Sequence, residues 1–365
     1  MAMSCLHDVL EMGVEAGASD WHVRQDSTVV LRVDGQLTEI EGFIPDQAFM
    51  DQLLQEICTD KDLKNYDEHG DADFAHQEDD VGRFRVNLHR QRGLVSLTYR
   101  HIKAKVPDVS QLGLPPVISE IAEAERGIIL VTGTTGSGKS TTLAAMLEYM
   151  NTNLSRHIIT IEDPIEYHFR DSNCIFEQRE VGPDCSSFDS ALIHALRQDP
   201  DVIVVGEMRN RRSFDTALTA ADTGHMVMST LHTSNASQSV QRILDFYEES
   251  EREQVRLSLA QNLHAIISQR LVPKASGSGV VPANEIMIKT PIIRKLLEED
   301  KLDKLASAIE AGERDGMMSF NQCLLKLVNE GHITEELALE KATNPEQLQM
   351  NLRGIFLNSG SAILG

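Results

Sequence analysis

The segment GTTGSGKST at positions 133–141 has the residue types and spacing of a loop that binds phosphate. Its three glycines let the backbone wrap a phosphate without Cβ clashes, and the start of the following helix supplies positive potential. The lysine can reach the outer phosphates of a nucleotide, and the next hydroxyl can ligate Mg²⁺. The apolar run GIILVT before the segment and TTLAAMLEYM after it provide the required strand–loop–helix context. We therefore predict a site for ATP and Mg²⁺ made by Gly133, Thr134, Thr135, Gly136, Ser137, Gly138, Lys139, Ser140 and Thr141.

Acidic residues follow two further apolar segments. IITIEDPIEY carries Glu162 and Glu166 at the carboxyl end of a predicted strand, the edge at which open α/β sheets bind ligands. An acid there can orient and deprotonate an attacking water, so Glu162 is the candidate general base. The alternative is that either glutamate caps a helix or pairs with an arginine. DVIVVGE ends in Glu207, which we expect to contact Mg²⁺ through a water.

Two histidines flank the next apolar segment, MVMSTL. His225 precedes it and His232 follows it. A single histidine is more often structural than catalytic, but this segment is expected to lie near the γ-phosphate. We therefore predict that His232 senses the γ-phosphate, with a structural role as the alternative.

Composition limits the classes of function. The 365 residues include 34 Lys and Arg against 56 Asp and Glu, a formal net charge of −22. Such an acidic chain is poorly suited to binding nucleic acid over a broad surface. No run approaches the length of about 18 apolar residues that spans a membrane, and the five cysteines form no CxxC pair. We expect a cytoplasmic protein that binds no nucleic acid and has no structural zinc.

The pattern of the chain changes near residue 110. We predict one domain over 1–105, a proline-containing linker over 106–118 and a second domain over 119–365. In the second domain apolar strands alternate with helices, which is typical of a mostly parallel α/β sheet. After about residue 250 the periodicity predicts helices nearly to the end, interrupted by KASGSG and a strand-like VVPANEIMI. The strands are predicted over 127–132, 157–162, 201–206 and 226–231.

A basic stretch lies at the end of the first domain. Residues 60–80 contain nine acids and two lysines, whereas residues 81–105 contain seven Arg and Lys and no acid. The alternation there predicts two antiparallel strands with a turn near residues 92–93. Arg83 and Arg85 would then share one face, and Arg90 and Arg92 another. This is either a solvated sheet face or a cationic face directed at phosphates.

The four segments together resemble the Walker A box, Asp box, Walker B box and His box of the secretion ATPases, the motors of type II secretion and type IV pili. They read GTTGSGKS, IEDPIE, RQDPDVIVVGEMR and TGHMVMSTLHT. GASDWHVR near the start and PIIRKLLEED at 291–300 resemble segments of the family members that retract type IV pili. We expect neither the tetracysteine insert nor the long additional N-terminal domain that are usual in other members. The resemblance covers about residues 10–350.

The resemblance implies a homohexameric motor that hydrolyses ATP to retract pili. Each subunit would have a PAS-like α+β N-terminal domain and a RecA-like P-loop ATPase domain with a helical C-terminal region. Glu162 would be the general base, Glu207 the Walker B acid and His232 the γ-phosphate sensor, while Arg85 and Arg100 would reach the nucleotide phosphates. The implied partners are an inner-membrane platform protein beneath the pilus and a paralogous pilus ATPase. The protein would be cytoplasmic and peripheral to the inner membrane.

Alternative functions come from three other classes. The chain could form an ATP-binding accessory ring that supports another motor, although Lys139, Glu162, Glu207 and His232 are all present. A motor that moves DNA is disfavoured by the net charge and by the lack of a basic or aromatic strand-binding track. A small-molecule kinase would need a lid and a substrate pocket that the sequence does not reveal.

Overall fold

The computed structural model of the chain describes residues 5–33, 35–40, 42–102 and 106–356. The chain divides into two compact units, Met1–Lys105 with Glu166–His168 and Val106–Ile165 with Phe169–Gly365. Residues 105 and 365, where we predict the ends of the two domains, lie outside the described residues. Within the described ranges, none of the helices combines the length and the apolar character that crossing a membrane requires.

The described part of the first unit contains a six-stranded antiparallel sheet and three helices. The strands lie in the order β3-β2-β1-β6-β5-β4. The elements are α1 Leu6–Glu15, β1 Ala18–Arg24, β2 Val30–Val33, β3 Gln36–Glu39, α2 Gln47–Ile57, α3 Asp60–His69, β4 Asp71–Glu78, β5 Gly82–Gln91 and β6 Leu94–Ile102.

The core of this unit forms around Trp21, which is fully buried. Its ring packs edge-on against Phe84 with centroids 5.4 Å apart, and its Nε1 donates a hydrogen bond to the carbonyl of Val9 at 3.0 Å. A Cβ at Gly13 would lie only 2.3 Å from that Nε1, so helix α1 can approach the indole only because position 13 is glycine. The core therefore holds helix α1 against the sheet.

The predicted hairpin in the basic stretch is confirmed. Strands β5 and β6 pair antiparallel over Arg83–Ile102, and the residues between them form the turn. The predicted position of Arg92 is wrong, because Arg92 lies in that turn with φ of 54° and so shares no strand face with Arg90. Phe84, Val86 and Leu88 are buried, which leaves the alternate residues of β5 on the other face.

The described part of the second unit contains a seven-stranded sheet with helices. The strand order is β13-β12-β7-β11-β10-β8-β9, and only β13 runs antiparallel to its neighbour. The elements are α4 Val117–Ala122, β7 Gly127–Thr132, α5 Lys139–Asn153, β8 His157–Glu162, β9 Ile175–Glu180, α6 Phe188–Ala195, β10 Val202–Val205, α7 Arg211–Asp222, β11 Met226–Leu231, α8 Ala236–Leu244, α9 Glu249–Asn262, β12 Leu263–Pro273, β13 Val280–Ile288, α10 Pro291–Glu298, α11 Leu305–Ala311, α12 Phe320–Asn329, α13 Glu335–Lys341 and α14 Pro345–Leu352, with 3₁₀ turns at Leu302–Lys304 and Glu313–Asp315.

Three of the four predicted strands of this unit have the predicted bounds, and the fourth, β10, is one residue shorter at each end. Every residue of β7, β10 and β11 is buried. Such strands read as continuous apolar runs because the sheet is covered on both faces. This is why the sequence pattern located them well.

The helical prediction after residue 250 is wrong for Leu263–Pro273, which forms the long strand β12. This segment is mostly apolar and buried, and a continuous apolar run does not distinguish a strand from a buried helix. Its strand conformation is decided by pairing with β7 on one side and β13 on the other. The sequence pattern does not predict the edge strand β9, because its residues are mostly polar and only partly buried.

Candidate nucleotide-binding site

The four predicted site segments meet at the carboxyl edge of the second unit's sheet. Backbone hydrogen bonds join their ends: Gly133 N–H donates to Leu231 at 3.2 Å, and Gly206 N–H donates to Ile161 at 2.8 Å. The Thr230 hydroxyl donates to the Gly206 carbonyl at 2.7 Å. Parallel strands place all these ends on one side, so segments distant in sequence become one site.

The loop between β7 and α5, residues 133–138, is called the phosphate loop below. It adopts a conformation that requires its glycines. Gly136 and Gly138 have φ of 76° and 84°, in the left-handed region that favours glycine. A Cβ at Gly133 would lie 2.4 Å from the Ser137 hydroxyl and 2.5 Å from the Gln269 carbonyl. The backbone therefore forms a tight curve with Thr134, Thr135 and Gly136 exposed.

Lys139 lies at the first position of helix α5, and its side chain folds back over the loop. Its Nζ donates hydrogen bonds to the carbonyls of Gly133 at 3.0 Å and Thr134 at 3.1 Å. The ammonium group is thus held where phosphate oxygens, which are stronger acceptors, would meet it. In the described part of the chain, the buried Ser137 hydroxyl has no hydrogen-bond partner. The glycine curve, the ammonium and this hydroxyl fit the phosphates of a nucleotide.

The expected Mg²⁺ ligands also fit the chemistry of that ion. Ser140 and Thr141 are partly exposed in the first turn of α5. Within the described ranges, no cluster of three or more His, Cys, Asp or Glu could hold a metal ion by itself. Mg²⁺ takes oxygen ligands and usually keeps several waters, so a hydroxyl oxygen from this turn suits it.

Glu162 ends strand β8 and has two neighbours that orient it. Its Oε1 accepts hydrogen bonds from the Thr160 hydroxyl at 2.7 Å and from Gln178 Nε2 at 3.3 Å. The Glu162 side chain is only partly buried. The two hydrogen bonds therefore fix the carboxylate while it remains partly exposed at the sheet edge. Glu166, the second glutamate of the IEDPIE segment, belongs to the first compact unit.

Glu207 lies between an arginine and a histidine. One carboxylate oxygen accepts a hydrogen bond from Arg209, and the other is 3.8 Å from His232 Nε2. The hydrogen bond to Glu207 raises the pKa of the Arg209 guanidinium. Arg209 is therefore held beside Glu207 at the sheet edge.

The two flanking histidines differ in their surroundings. His225 Nδ1 lies 3.0 Å from the Ala220 carbonyl and 3.1 Å from the Thr223 hydroxyl, contacts that close the end of helix α7. His232 is about half exposed at the other end of β11, beside Glu207. Of the two, only His232 lies at the sheet edge where the phosphate loop begins.

Arg85 and Arg100 belong to the first unit and are paired across β5 and β6. Asp20 on β1 is in turn paired with Arg100, so the three form one row across the sheet. Asp20 accepts a hydrogen bond from Arg100 Nε at 2.8 Å, and the Arg85 guanidinium approaches Asp73 at 4.0 Å. Both arginine side chains remain substantially exposed, at 68% for Arg100 and 46% for Arg85. This row is a surface with two accessible guanidinium groups.

Sequence reasoning did not identify the residues that hold the site together. Thr160 and Gln178 orient Glu162, and Gln269 on β12 contacts the phosphate loop. The sequence does contain a sign of Gln269, because it is a polar residue within a largely apolar run, HAIISQRLV. Such a residue needs a hydrogen-bond partner, and the loop is the partner.

Comparison with known proteins agrees with this geometry. Residues 2–312 match a family model described as "Type II/IV secretion system protein". The protein named "Type IV pilus retractation ATPase PilT" of Pseudomonas aeruginosa is 43% identical over 339 residues, which cover 93% of this chain and 98% of that protein. A protein of Neisseria gonorrhoeae named "Twitching motility protein" is 38% identical over 350 residues, covering 95% of this chain and 93% of that one. The crystal structure of the pilus retraction motor PilT with bound ADP matches with a TM-score of 0.89 and 42% identity, over 95% of this chain and 99% of that one.

Proposed function

The chain belongs to the type II/IV secretion system protein family, and we propose that it is an ATP-hydrolysing motor that retracts type IV pili and so supports twitching motility. It converts ATP and water to ADP and phosphate and couples this reaction to mechanical work. The observation that carries the proposal is the meeting of the phosphate loop with Glu162, Glu207 and His232 at one sheet edge, in a chain similar to PilT over nearly its whole length.

The two units take the roles of a PAS-like N-terminal domain and a RecA-like ATPase domain with a helical C-terminal region. The antiparallel order β3-β2-β1-β6-β5-β4 with helices α1 to α3 supports the first assignment. The order β12-β7-β11-β10-β8 supports the second, because the phosphate-loop strand is separated from the strand of Glu162 by two others. The linker between the two domains runs over residues 106–118.

In the hydrolytic step Glu162 acts as the general base. Its carboxylate orients a water and accepts its proton, and Thr160 and Gln178 hold that carboxylate in place. Ser140 would ligate Mg²⁺ directly and Glu207 would contact it through a water. When bound, Mg²⁺ would neutralise negative charge on the phosphate oxygens. Lys139 and the amides at the start of α5 bind the phosphates themselves.

His232 reports whether the γ-phosphate is present. Its Nε2 lies 3.8 Å from Glu207, so any movement of the imidazole toward a phosphate would change its contact with the Glu207 carboxylate. Arg209, which already donates to Glu207, compensates part of that carboxylate's charge.

Arg85 and Arg100 supply positive charge to the phosphates in the transition state. Their exposed side chains lie side by side across β5 and β6, which supports a shared role. A cation that acts in this way increases kcat by a factor of about 10³–10⁵. The motor works as a homohexamer at the cytoplasmic side of the inner membrane, with a pilus platform protein and a paralogous pilus ATPase as partners.

The experiment that tests this function is steady-state ATP turnover of the wild type beside Glu162→Gln, with nucleotide binding measured on the same samples. We expect turnover in the wild type and its loss, by about 10²-fold or more, in Glu162→Gln with ATP still bound. Glu166→Gln is the matched control and should keep turnover. In cells, Glu162→Gln should leave pili that extend but do not retract.

Other results would point to a different function. ATP binding without turnover in the wild type would indicate an accessory ring that supports another pilus or secretion motor. Equal loss of turnover in Glu162→Gln and Glu166→Gln would contradict the assignment of Glu162 as the base.

A further inference from the structure

Gln269 on β12 makes a buried contact with the phosphate loop. Strand β12 runs parallel to β7, with Ser268 opposite Thr132, so Gln269 lies level with the start of the loop. Its Nε2 donates a hydrogen bond to the carbonyl of Ser137 at 2.7 Å, and both residues are buried. A single side chain thus links the strand beside β7 to the middle of the loop.

The amide of Gln269 is held in one orientation by two donors. Its Oε1 accepts hydrogen bonds from the Thr142 hydroxyl at 2.8 Å and from Asn284 Nδ2 at 3.1 Å. Because both partners present donors to Oε1, the Nε2 group is directed at Ser137. Thr142 lies in the first turn of α5, so the same amide contacts the loop and the helix that follows it.

The contact determines where the next amide points. A trans peptide directs its carbonyl and its N–H to opposite sides, so holding the Ser137 carbonyl on Gln269 turns the Gly138 N–H away from Gln269. Within residues 106–356, that N–H has no hydrogen-bond acceptor. A Cβ at Gly138 would lie 2.8 Å from Nε2, so the loop can lie this close to Gln269 only because position 138 is glycine.

We propose that Gln269 is a positioning residue of the nucleotide site, whose buried amide holds the phosphate loop in the form that binds the diphosphate of ADP and ATP. The inference rests on the proposed function in that it takes this loop as the ATP site. Its physical basis is that a buried carbonyl that loses its donor is costly, so without Gln269 the Ser137 peptide would rotate. The Gly138 N–H would then no longer be directed at the phosphate.

A purely structural role for the same network makes a different prediction. It would lower thermal stability and leave the affinity of the folded protein for nucleotide unchanged. Ser268 offers a matched control, because the Thr132 hydroxyl donates to the Ser268 hydroxyl at 2.9 Å between the same two strands. Ser268→Ala removes one buried hydrogen bond next to Gln269 without removing a contact to Ser137.

The test is the dissociation constant of Mg·ADP, measured by titration calorimetry on the full-length chain for the wild type, Gln269→Leu and Ser268→Ala. Melting temperatures without nucleotide are recorded for all three. We expect Gln269→Leu to raise the dissociation constant by about tenfold or more and Ser268→Ala to change it by less than about twofold. At saturating ATP, turnover of Gln269→Leu should fall less than its kcat/KM, because the loop binds phosphate throughout the reaction.

If Gln269→Leu does not fold, Gln269→Met is measured instead. It keeps the unbranched length of the side chain without adding a charge, and it removes the donor to Ser137 together with the acceptor for Thr142 and Asn284. The same rise in the dissociation constant is expected, and an unchanged constant in either folded variant would overturn the proposal. ADP binding needs no hydrolysis, so a wild type that binds ADP without turnover would contradict the motor and leave the assignment of Gln269 intact.

Discussion

Asp20 holds Arg100 by the Nε atom of its guanidinium, with a hydrogen bond of 2.8 Å. The other carboxylate oxygen of Asp20 accepts a hydrogen bond from the Ser19 hydroxyl, also at 2.8 Å. The Asp20 side chain is 8% exposed, whereas that of Arg100 is 68% exposed. The carboxylate is therefore fixed in the sheet while the terminal nitrogens of the guanidinium remain accessible. This arrangement suits the proposed role of Arg100, in which the arginine meets a phosphate in a defined orientation.

We predict that Asp20 and Arg100 act as one unit in turnover. Asp20→Asn keeps the shape of the side chain but loses the charge that orients Arg100, so kcat should fall by about 10- to 100-fold. In an Arg100→Ala background the same change should cost less than about twofold, because the group it orients is already absent. The measurement is a double-mutant cycle on steady-state kcat. Independent, multiplicative losses would show that Asp20 does not act through Arg100.

The same pair predicts a pH dependence of stability. Burial opposes ionisation of Asp20, but hydrogen bonds from Ser19 and Arg100 outweigh it and hold the pKa of this carboxyl below its usual value. A lowered folded-state pKa adds stability that is present above the unfolded pKa of about 4 and is lost as pH falls through the folded value. The melting temperature of Asp20→Asn should therefore lie below that of the wild type at pH 7 and approach it below pH 4.

Asp51→Asn is the control for that measurement, because Asp51 is an exposed carboxylate on α2. Its melting temperature should follow the wild type at both pH values. A deficit of Asp20→Asn that stayed constant from pH 7 to pH 3 would contradict the electrostatic explanation.

Arg85→Ala should lower turnover more than it lowers ATP affinity. An arginine that meets charge formed in the transition state contributes to the rate, with a loss of about 10³-fold or more expected on its removal. Arg90→Ala is the matched control, since Arg90 lies on the same strand but stacks on Tyr66 at 4.7 Å and pairs with Asp67 at 3.4 Å. Its kcat should stay within about threefold of the wild type. If Arg85→Ala instead unfolded the first unit with turnover intact in the remaining folded protein, the role of this arginine would be structural.

Gly133→Ala and Gly136→Ala should affect the loop differently. A Cβ at Gly133 would collide with the Ser137 hydroxyl at 2.4 Å and the Gln269 carbonyl at 2.5 Å, so we expect nucleotide binding to be lost. A Cβ at Gly136 would meet nothing within 4 Å, and the cost there is only that of a left-handed φ of 76°, about 1–2 kcal/mol. Titration with Mg·ADP compares the two, and equal affinities would show that the close approach at Gly133 is not required.

The local parts of the fold and the site could be predicted from the sequence. The phosphate loop, the strands β7, β8 and β11, and the hairpin of β5 and β6 are each specified by residues adjacent in the chain. Buried parallel strands read as unbroken apolar runs, and glycine spacing marks the loop. Strand β12 is not predicted from the sequence, because a mostly apolar segment is equally compatible with a buried helix. Its strand conformation is determined by pairing with the neighbouring strands of the sheet.

What the sequence determined by itself was thus the chemistry available: a phosphate loop, two candidate acids, a histidine and a pair of arginines. Only the tertiary structure determines which of these groups are fixed in position and which other residues make the contacts that fix them. Gln269 lies 132 residues from Ser137, and Asp20 lies 80 residues from Arg100. The physical reason is that such contacts depend on strand order and register, which are set by packing of the whole sheet and leave no local pattern in the chain.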